Sequence, residues 1–189
     1  MNRKIFSLVC AVSCSLIWGT AFVAQDMGMD YIGPYTFSAV RLLLGFFTLL
    51  PFFFIFEFKK VKGTKLSLEK IFLYIFFLGF FLAGGNILQQ ISLLYTDVAN
   101  SAVFTVLYVV IVPIIAYFLF SKKIHNSVWP SVLMCLVGGL FLSELSNLRV
   151  RFGDSLVVIG AFFWAFHIVF ISKFLKIFNY PITIATFQC

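Results

Sequence analysis

Charged side chains are scarce in this sequence. Only 11% of its 189 residues are Asp, Glu, Lys or Arg, whereas 62% are hydrophobic and the mean hydropathy is +1.06. A soluble domain carries about 25% charged residues, because its surface must be covered with polar groups. The composition therefore excludes a soluble globular domain and indicates an integral membrane protein.

Motifs for catalysis and cofactor binding are also missing. The sequence has no phosphate-binding loop, dinucleotide fingerprint, hydrolase elbow or metal-ligand pattern. Its four cysteines lie within apolar segments, where nothing supports disulfide pairing. No Asp or Glu occupies the middle of an apolar run, so a carboxylate proton relay is missing from these residues. We expect no enzymatic activity, no catalytic residue, no cofactor and no metal site.

Long apolar runs are what the sequence has instead. Because lipid offers the backbone no hydrogen-bond partners and no run alternates like a barrel strand, these runs predict membrane-spanning helices. Pro113 predicts a kink in the fourth helix. The expected fold is an all-α, polytopic helical bundle with six spans and the start of a seventh at Pro181. The six spans are Ile5–Ala24, Pro34–Phe56, Leu68–Leu94, Val98–Phe120, Ser127–Ser143 and Ser155–Ser172.

The basic residues predict the orientation of these spans. The formal net charge of +7 raises the question of nucleic-acid binding, but the Lys and Arg residues lie mostly in alternate loops. Only Arg149 and Arg151 fall on the opposite side, and Arg41 lies within a span. The N-terminus is therefore predicted to be cytoplasmic, and topology explains the charge without a nucleic acid. The residues on the predicted cytoplasmic side are Arg3, Lys4, Lys59, Lys60, Lys62, Lys65, Lys70, Lys122, Lys123, Lys173 and Lys176.

Two stretches of the chain resemble each other. A tryptophan, then a proline, then a polar residue seven positions later occur as Trp18, Pro34 and Arg41. They recur as Trp164, Pro181 and Gln188, displaced by 146 residues for the tryptophans and 147 for the prolines. Five spans separate the two starts, so the copies are predicted to be inverted in the membrane. Inverted repeats are common in secondary transporters, whose binding sites lie near the midplane between the halves.

Arg41 is the most specific single candidate for a functional residue, because a guanidinium inside a span needs a partner, contact with water or a route to the headgroups. One interpretation is structural: Arg41 reaches the outer headgroups or pairs with Asp26, Asp30 or Asp97. The other is functional, with Arg41 presenting a positive charge to a carboxylate or phosphate of a substrate.

Other polar residues lie at a similar predicted depth. Asn86 and Gln90 share one helical face, and Ser101, Thr105 and Tyr108 form a stripe on the next span. Helix–helix hydrogen bonding is a sufficient explanation for each of them alone. Their common depth favours a polar cavity, with Trp18 and Trp164 as packing residues or aromatic walls. His167 lies on the face of Trp164, as a neutral core histidine or a proton carrier.

The runs LIWGTAFVAQ, GPYTFSAVRLLLG, TDVANSAVFTVLYVVIVPIIAYF and GDSLVVIGAFFWAFHIVFISK resemble the EamA-type branch of the drug/metabolite transporter superfamily. The resemblance implies a ten-span permease of two inverted five-helix repeats, with a central cavity and alternating access. It places Trp18, Thr20 and Arg41 on the motif of the first repeat. It also implies a first repeat at residues 1–146 and an incomplete second one at residues 154–189.

The expected function is transport of small metabolites, such as amino acids, across the cytoplasmic membrane. The expected partners are a small-molecule substrate and the lipid bilayer, with a homo-oligomer or a complementing half left open. The alternative is a non-transporting scaffold or an inactive truncated permease, because the seventh span stops after about eight residues. The candidate cavity residues are Trp18, Thr20, Arg41, Asn86, Gln90, Thr105, Tyr108, Trp164 and His167.

Overall fold

The structure, a computed structural model, describes residues 3–64, 66–121, 124–142 and 151–189. Within these ranges the chain is helical and has no strand. Five helical stretches are long and apolar enough to cross a membrane: Ile5–Met29, Pro34–Phe56, Leu68–Ser92, Val98–Phe120 and Phe152–Ile177. An all-α, multi-pass membrane protein is therefore confirmed. The helices are α1 (Arg3–Met29), α2 (Pro34–Phe56), α3 (Phe58–Lys62), α4 (Leu68–Ser92), α5 (Val98–Thr105), α6 (Tyr108–Phe120), α7 (Val128–Leu142), α8 (Phe152–Ile177) and α9 (Pro181–Phe187).

The helix ends differ from the predicted spans where polar residues adjoin an apolar run. Helix α2 has the predicted bounds, whereas α1 and α8 continue beyond theirs, because a helix keeps its backbone hydrogen bonds after hydropathy falls. Helix α7 has 15 residues and is short for a span. Several sequence predictions fall on residues outside those described: Ser143, Glu144, the boundary at 146, Lys65, Lys122, Lys123 and Arg149.

The predicted fourth span is divided into α5 and α6. Leu107 donates its backbone N–H to Phe104, at 3.2 Å, and Val109 donates to Val106, at 2.9 Å, so the chain tightens to a three-residue turn there. Pro113 lies inside α6, several residues after this division. The surrounding segment is rich in valine and isoleucine, whose branched side chains lower helix propensity.

Helix α8 occupies the middle of the bundle. Its Ala165 and Val169 pack with Ile115 of α6, and its Phe174 packs with Leu78 of α4. Glycines allow α4 and α8 to approach closely. A Cβ on Gly84 would lie only 2.4 Å from the Phe163 ring, and one on Gly153 would lie 2.7 Å from the backbone oxygen of Ser92. Small residues at helix contacts serve this purpose in membrane bundles.

Polar contacts join the two predicted repeats at both ends of the bundle. At one end, the buried Glu57 carboxylate accepts hydrogen bonds from the backbone N–H and the hydroxyl of Thr183, both at 2.7 Å. At the other end, the hydroxyl of Thr96 donates to the buried Asp154 carboxylate at 2.5 Å. These contacts fix the starts of α9 and α8 against the loops of the first predicted repeat.

Candidate functional site

A cavity of about 420 Å³ lies between α1, α4, α5, the start of α6 and α8. Its volume falls within the range of small-molecule sites, roughly 300 to 1,000 Å³. A second cavity of about 730 Å³ lies between α2, α4 and α9, and its wall contains none of the predicted site residues. The first cavity is therefore the candidate site. It is lined by Ser15, Trp18, Gly19, Phe22, Val23, Gln25, Gln89, Val98, Ala99, Ala102, Thr105, Val106, Tyr108 and Trp164.

The two tryptophans of the predicted repeats meet at this cavity. The rings of Trp18 on α1 and Trp164 on α8 have centroids 5.7 Å apart and planes at 88°, an edge-to-face contact. Trp164 is buried, whereas Trp18 is about half exposed. At 1.5 Å per residue, Trp164 lies about 18 Å along α8 from Phe152, close to the middle of the helix. The pair thus forms an aromatic wall at mid-depth in the bundle.

Helix α4 provides the surface on which Trp164 rests. A Cβ on Gly85 would lie 3.0 Å from Trp164 Nε1, so only glycine leaves full room for the indole at this position. A Cβ on Gly160 of α8 would lie 3.5 Å from the backbone oxygen of Gly85, which shows how near the two helices are. The indole N–H of Trp164 is buried and has no hydrogen-bond partner among the described residues.

A short hydrogen-bond chain orients the opposite wall. Gln89 of α4 donates through Nε2 to the Thr105 hydroxyl at 2.9 Å, and this hydroxyl donates to the backbone oxygen of Ser101 at 2.7 Å. Thr105 is the last residue of α5, and Tyr108, the first residue of α6, also lines the cavity. The turn between α5 and α6 therefore contributes directly to the wall of the site.

Gln25, near the end of α1, lines the cavity and is 3% exposed. Its backbone oxygen accepts a hydrogen bond from Nε2 of the fully buried Gln90, at 3.3 Å. The side-chain oxygens of both glutamines are buried, and no residue in the described part of the chain bonds to them. Buried polar atoms normally find a partner, so these two oxygens and the Trp164 N–H are exceptions within the ranges that the structure describes.

Arg41 lies outside the cavity wall. Its guanidinium donates a hydrogen bond to Oδ1 of Asn86 and lies 5.8 Å from the centroid of the Phe37 ring. Of the three carboxylates that the sequence offered as structural partners of Arg41, Asp97 forms its ion pair with Arg151, at 2.5 Å. Among the described residues, Arg41 forms no ion pair. An amide oxygen from α4 takes the place of the predicted carboxylate.

His167 and Thr20 also lie away from the cavity wall. His167 Nε2 is 3.0 Å from Oε1 of Gln188, the residue that corresponds to Arg41 in the predicted second repeat. Thr20 is exposed and donates its hydroxyl to the backbone oxygen of Ile17 at 2.9 Å. This contact is local to α1, so nothing ties Thr20 to the cavity.

The structure thus brings together four of the predicted residues and separates the other five. Gln25 and Gln89 are cavity residues that the sequence reasoning missed. Gln25 comes seven residues after Trp18, a spacing that puts both side chains on one helical face. The sequence could therefore have identified Gln25 as a cavity residue. The four residues at the cavity are Trp18, Thr105, Tyr108 and Trp164, and the five outside its wall are Thr20, Arg41, Asn86, Gln90 and His167.

The EamA-like transporter family matches residues 5–144. An uncharacterised transporter of Archaeoglobus fulgidus is 29% identical over 186 residues, covering 98% of this chain and 55% of that protein. The uncharacterised transporter YoaV of Bacillus subtilis is 27% identical over 165 residues, covering 84% of this chain and 54% of YoaV. The chain spans about half the length of these curated relatives. No solved structure matches it.

Proposed function

Because this chain belongs to the EamA-like transporter family, we propose that it moves small metabolites, a class that includes amino acids, across the cytoplasmic membrane. The observation that carries the proposal is the cavity of about 420 Å³ bounded by α1 and α8, the first helices of the two predicted repeats. Transporters built from inverted repeats bind their substrates at such a junction. The family is one of transporters and not of enzymes.

Alternating access is the proposed mechanism, and the contact between Trp18 and Trp164 supports it. Residues related by a two-fold axis touch each other only when they lie close to that axis. A contact between the repeat-related tryptophans is therefore what inverted repeats around a central site produce. Rocking of the repeats would alternately break the polar contact at Glu57 and the one at Asp154. One end of the bundle would then open while the other stays closed.

The proposal also includes the orientation of the helices in the membrane. Lys59, Lys60 and Lys62 lie on α3, which follows the end of α2, and the positive-inside rule puts this end of the bundle in the cytoplasm. The N-terminus is then cytoplasmic as well. The loops at residues 30–33 and 93–97 face outward. Exposed apolar side chains on α1, such as Leu16 and Ile17, suit contact with lipid acyl chains.

Cysteine accessibility tests whether the cavity is open to water. In a background lacking the four native cysteines, Ala102→Cys places a thiol on the cavity wall, whereas Val169→Cys places one in the packed core. We expect a water-soluble maleimide to label Ala102→Cys at least tenfold faster than Val169→Cys, since thiolates form readily only in water. Equal protection at both positions would support a packed, non-transporting bundle.

A further inference from the structure

The second cavity, of about 730 Å³ between α2, α4 and α9, is an apolar groove, called here the α2–α9 groove. Leu68 and Phe72 of α4 line it and are each more than half exposed, so the groove is open along its side. Its amide and hydroxyl side chains are already bonded: Thr183 donates to the buried Glu57 carboxylate, and Gln188 contacts a histidine of α8. An occupant of the α2–α9 groove therefore needs an apolar body.

The α2–α9 groove runs lengthwise from one end of the bundle. Val61 of α3 and Leu68 line it at that end, and Ala83 lines it beyond the middle of α4. At 1.5 Å per residue, α4 extends about 22 Å from Leu68 to Ala83. One leaflet accounts for about 15 Å of the hydrocarbon core, half of its total thickness. The groove is therefore long enough to hold an acyl chain from the headgroup level to the bilayer midplane.

Lysines lie at the end of the α2–α9 groove that α3 occupies. Lys60 and Lys62 flank Val61 in the chain, and both are exposed. The Tyr180 hydroxyl donates to the backbone oxygen of Lys60 at 3.3 Å and so ties α3 to the start of α9. Lysines at headgroup depth attract the phosphate of an anionic lipid. The exposed charged residues described at this end are four lysines and one glutamate: Lys59, Lys60, Lys62, Lys70 and Glu69.

We propose that the α2–α9 groove binds an anionic phospholipid from the leaflet that adjoins α3. One acyl chain lies along α4, and the headgroup phosphate lies at Lys60 and Lys62. A second copy of the chain suits the groove less well. In a symmetric dimer of parallel chains this face meets itself, which brings the α3 lysines of both copies to the same end of the interface, and like charges disfavour that contact. Lipid binding here does not depend on transport through the other cavity.

Native mass spectrometry of the purified full chain in detergent measures this binding, because each bound lipid adds its own mass. The probes are phosphatidylglycerol, which is anionic, and phosphatidylcholine, which is neutral overall, with identical acyl chains. We expect the dissociation constant of phosphatidylglycerol to be lower by about tenfold or more, since its charge is attracted by each nearby lysine.

Charge removal at α3 tests the position of the headgroup. Lys60→Gln with Lys62→Gln should raise the dissociation constant of phosphatidylglycerol about tenfold or more and leave that of phosphatidylcholine unchanged. Lys173→Gln with Lys176→Gln is the matched control, because it removes the same charge from α8, none of whose described residues lines the groove. This control should change phosphatidylglycerol binding by no more than about twofold, since exposed charges away from the site are screened. All four lysines are exposed, so these variants are expected to fold.

Filling the groove tests the position of the acyl chain. Ala83→Phe places a ring at its inner end and should raise the dissociation constants of both lipids about tenfold, the effect of displacing about two methylene groups. Ala11→Phe, on an exposed face of α1, is the control and should leave both unchanged. Thermal unfolding verifies that each variant is folded, and the lysine variants decide the headgroup contact by themselves if Ala83→Phe is unstable.

Equal affinities for the two lipids would overturn the proposed site, as would an equal loss of phosphatidylglycerol binding in the α8 control. Lipid binding that is unchanged in folded Ala83→Phe would overturn the placement of the acyl chain. A dimer mass without bound lipid would assign the groove to a second copy and also overturn the site.

Discussion

Arg41 shows what a single residue reveals in a membrane sequence. The cost of a guanidinium within a span predicts that Arg41 has a partner, contacts water or reaches the headgroups. The partner is Asn86, 45 residues away, whose own Nδ2 donates to the backbone oxygen of Leu82 at 2.9 Å. No local pattern identifies such a partner, because the pairing depends on how α2 packs against α4.

Removing Asn86 alone should lower the free energy of unfolding more than removing both Arg41 and Asn86. Asn86→Leu leaves a half-buried guanidinium without its acceptor, and we expect the free energy of unfolding to fall by about 1 to 3 kcal/mol. The double variant Arg41→Met with Asn86→Leu should be more stable than Asn86→Leu alone by about 1 kcal/mol, because an apolar contact replaces the unpaired cation. Thermal unfolding in detergent, combined as a double-mutant cycle, measures the coupling.

Additive effects at Arg41 and Asn86 would contradict the pairing. Thr20→Val is the matched control, since the Thr20 hydroxyl bonds only to the backbone of its own helix turn. It should change stability by less than about 0.5 kcal/mol, as surface substitutions usually do.

At the scale of helices, the contact between α4 and α8 organises the bundle. The adjacent glycines Gly84 and Gly85 of α4 lie where α8 approaches, against Phe163 and Trp164. Gly153, at the start of α8, is also at a close contact. A Cβ there would lie 2.7 Å from the Ser92 backbone oxygen and 2.8 Å from the Thr96 backbone nitrogen.

Gly153→Ala should therefore destabilise the start of α8. Backbone atoms cannot rotate away as a side chain can, so we expect a loss of about 1 to 3 kcal/mol. Gly19→Ala is the matched control, because a Cβ at Gly19 meets no atom within 4 Å. Replacing that helical glycine should leave stability unchanged or raise it by up to about 1 kcal/mol. Equal effects at the two positions would show that α8 does not approach the Ser92 end of α4 this closely.

The start of α9 depends on a carboxylate from the first predicted repeat. Glu57 accepts hydrogen bonds from the backbone of Ile182 at 3.3 Å and from Thr183. Glu57→Ala should free α9 and speed amide hydrogen exchange across residues 182–187, with a loss of about 2 to 3 kcal/mol in local stability. Glu69→Ala, which removes an exposed carboxylate in the first turn of α4, is the control and should leave that exchange unchanged. Exchange that does not respond to Glu57→Ala would show that other contacts hold α9.

Hydropathy predicted the helices better than it predicted the site. The bounds of α2 and the existence of α1, α4 and α8 follow from apolar run length, a local property. The turn between α5 and α6 was missed, because Pro113 drew attention to a position several residues later. Gln25 was missed because it lies at the polar end of a span, where a glutamine needs no special explanation.

On the scale of the whole molecule, the chain is half as long as its curated relatives and matches the EamA-like family over residues 5–144. The inverted repeat, the cytoplasmic N-terminus and alternating access are proposals that rest on loop charges and on the contact between Trp18 and Trp164. Sequence spacing identified this tryptophan pair, but only the packing of α1 near α8 shows that the two rings touch.

The proposed orientation predicts which loops a reagent outside the cell can reach. In intact cells and in a background without native cysteines, a membrane-impermeant maleimide should label Tyr31→Cys, whose parent side chain is 87% exposed. Gly63→Cys, at the end of α3, should react only after the membrane is permeabilised, because the positive-inside rule places its loop in the cytoplasm. The reverse labelling pattern would invert the proposed orientation.

Solute flux tests the central claim most directly. Liposomes containing the purified chain, and empty liposomes as the reference, are exposed to a panel of radiolabelled amino acids and other small metabolites, and the trapped label is counted over time. We expect saturable uptake of at least one solute above that of empty liposomes, with Trp164→Ala lowering the rate about tenfold or more through loss of the aromatic wall. Uptake of every solute equal to that of empty liposomes would contradict a transport function for this chain.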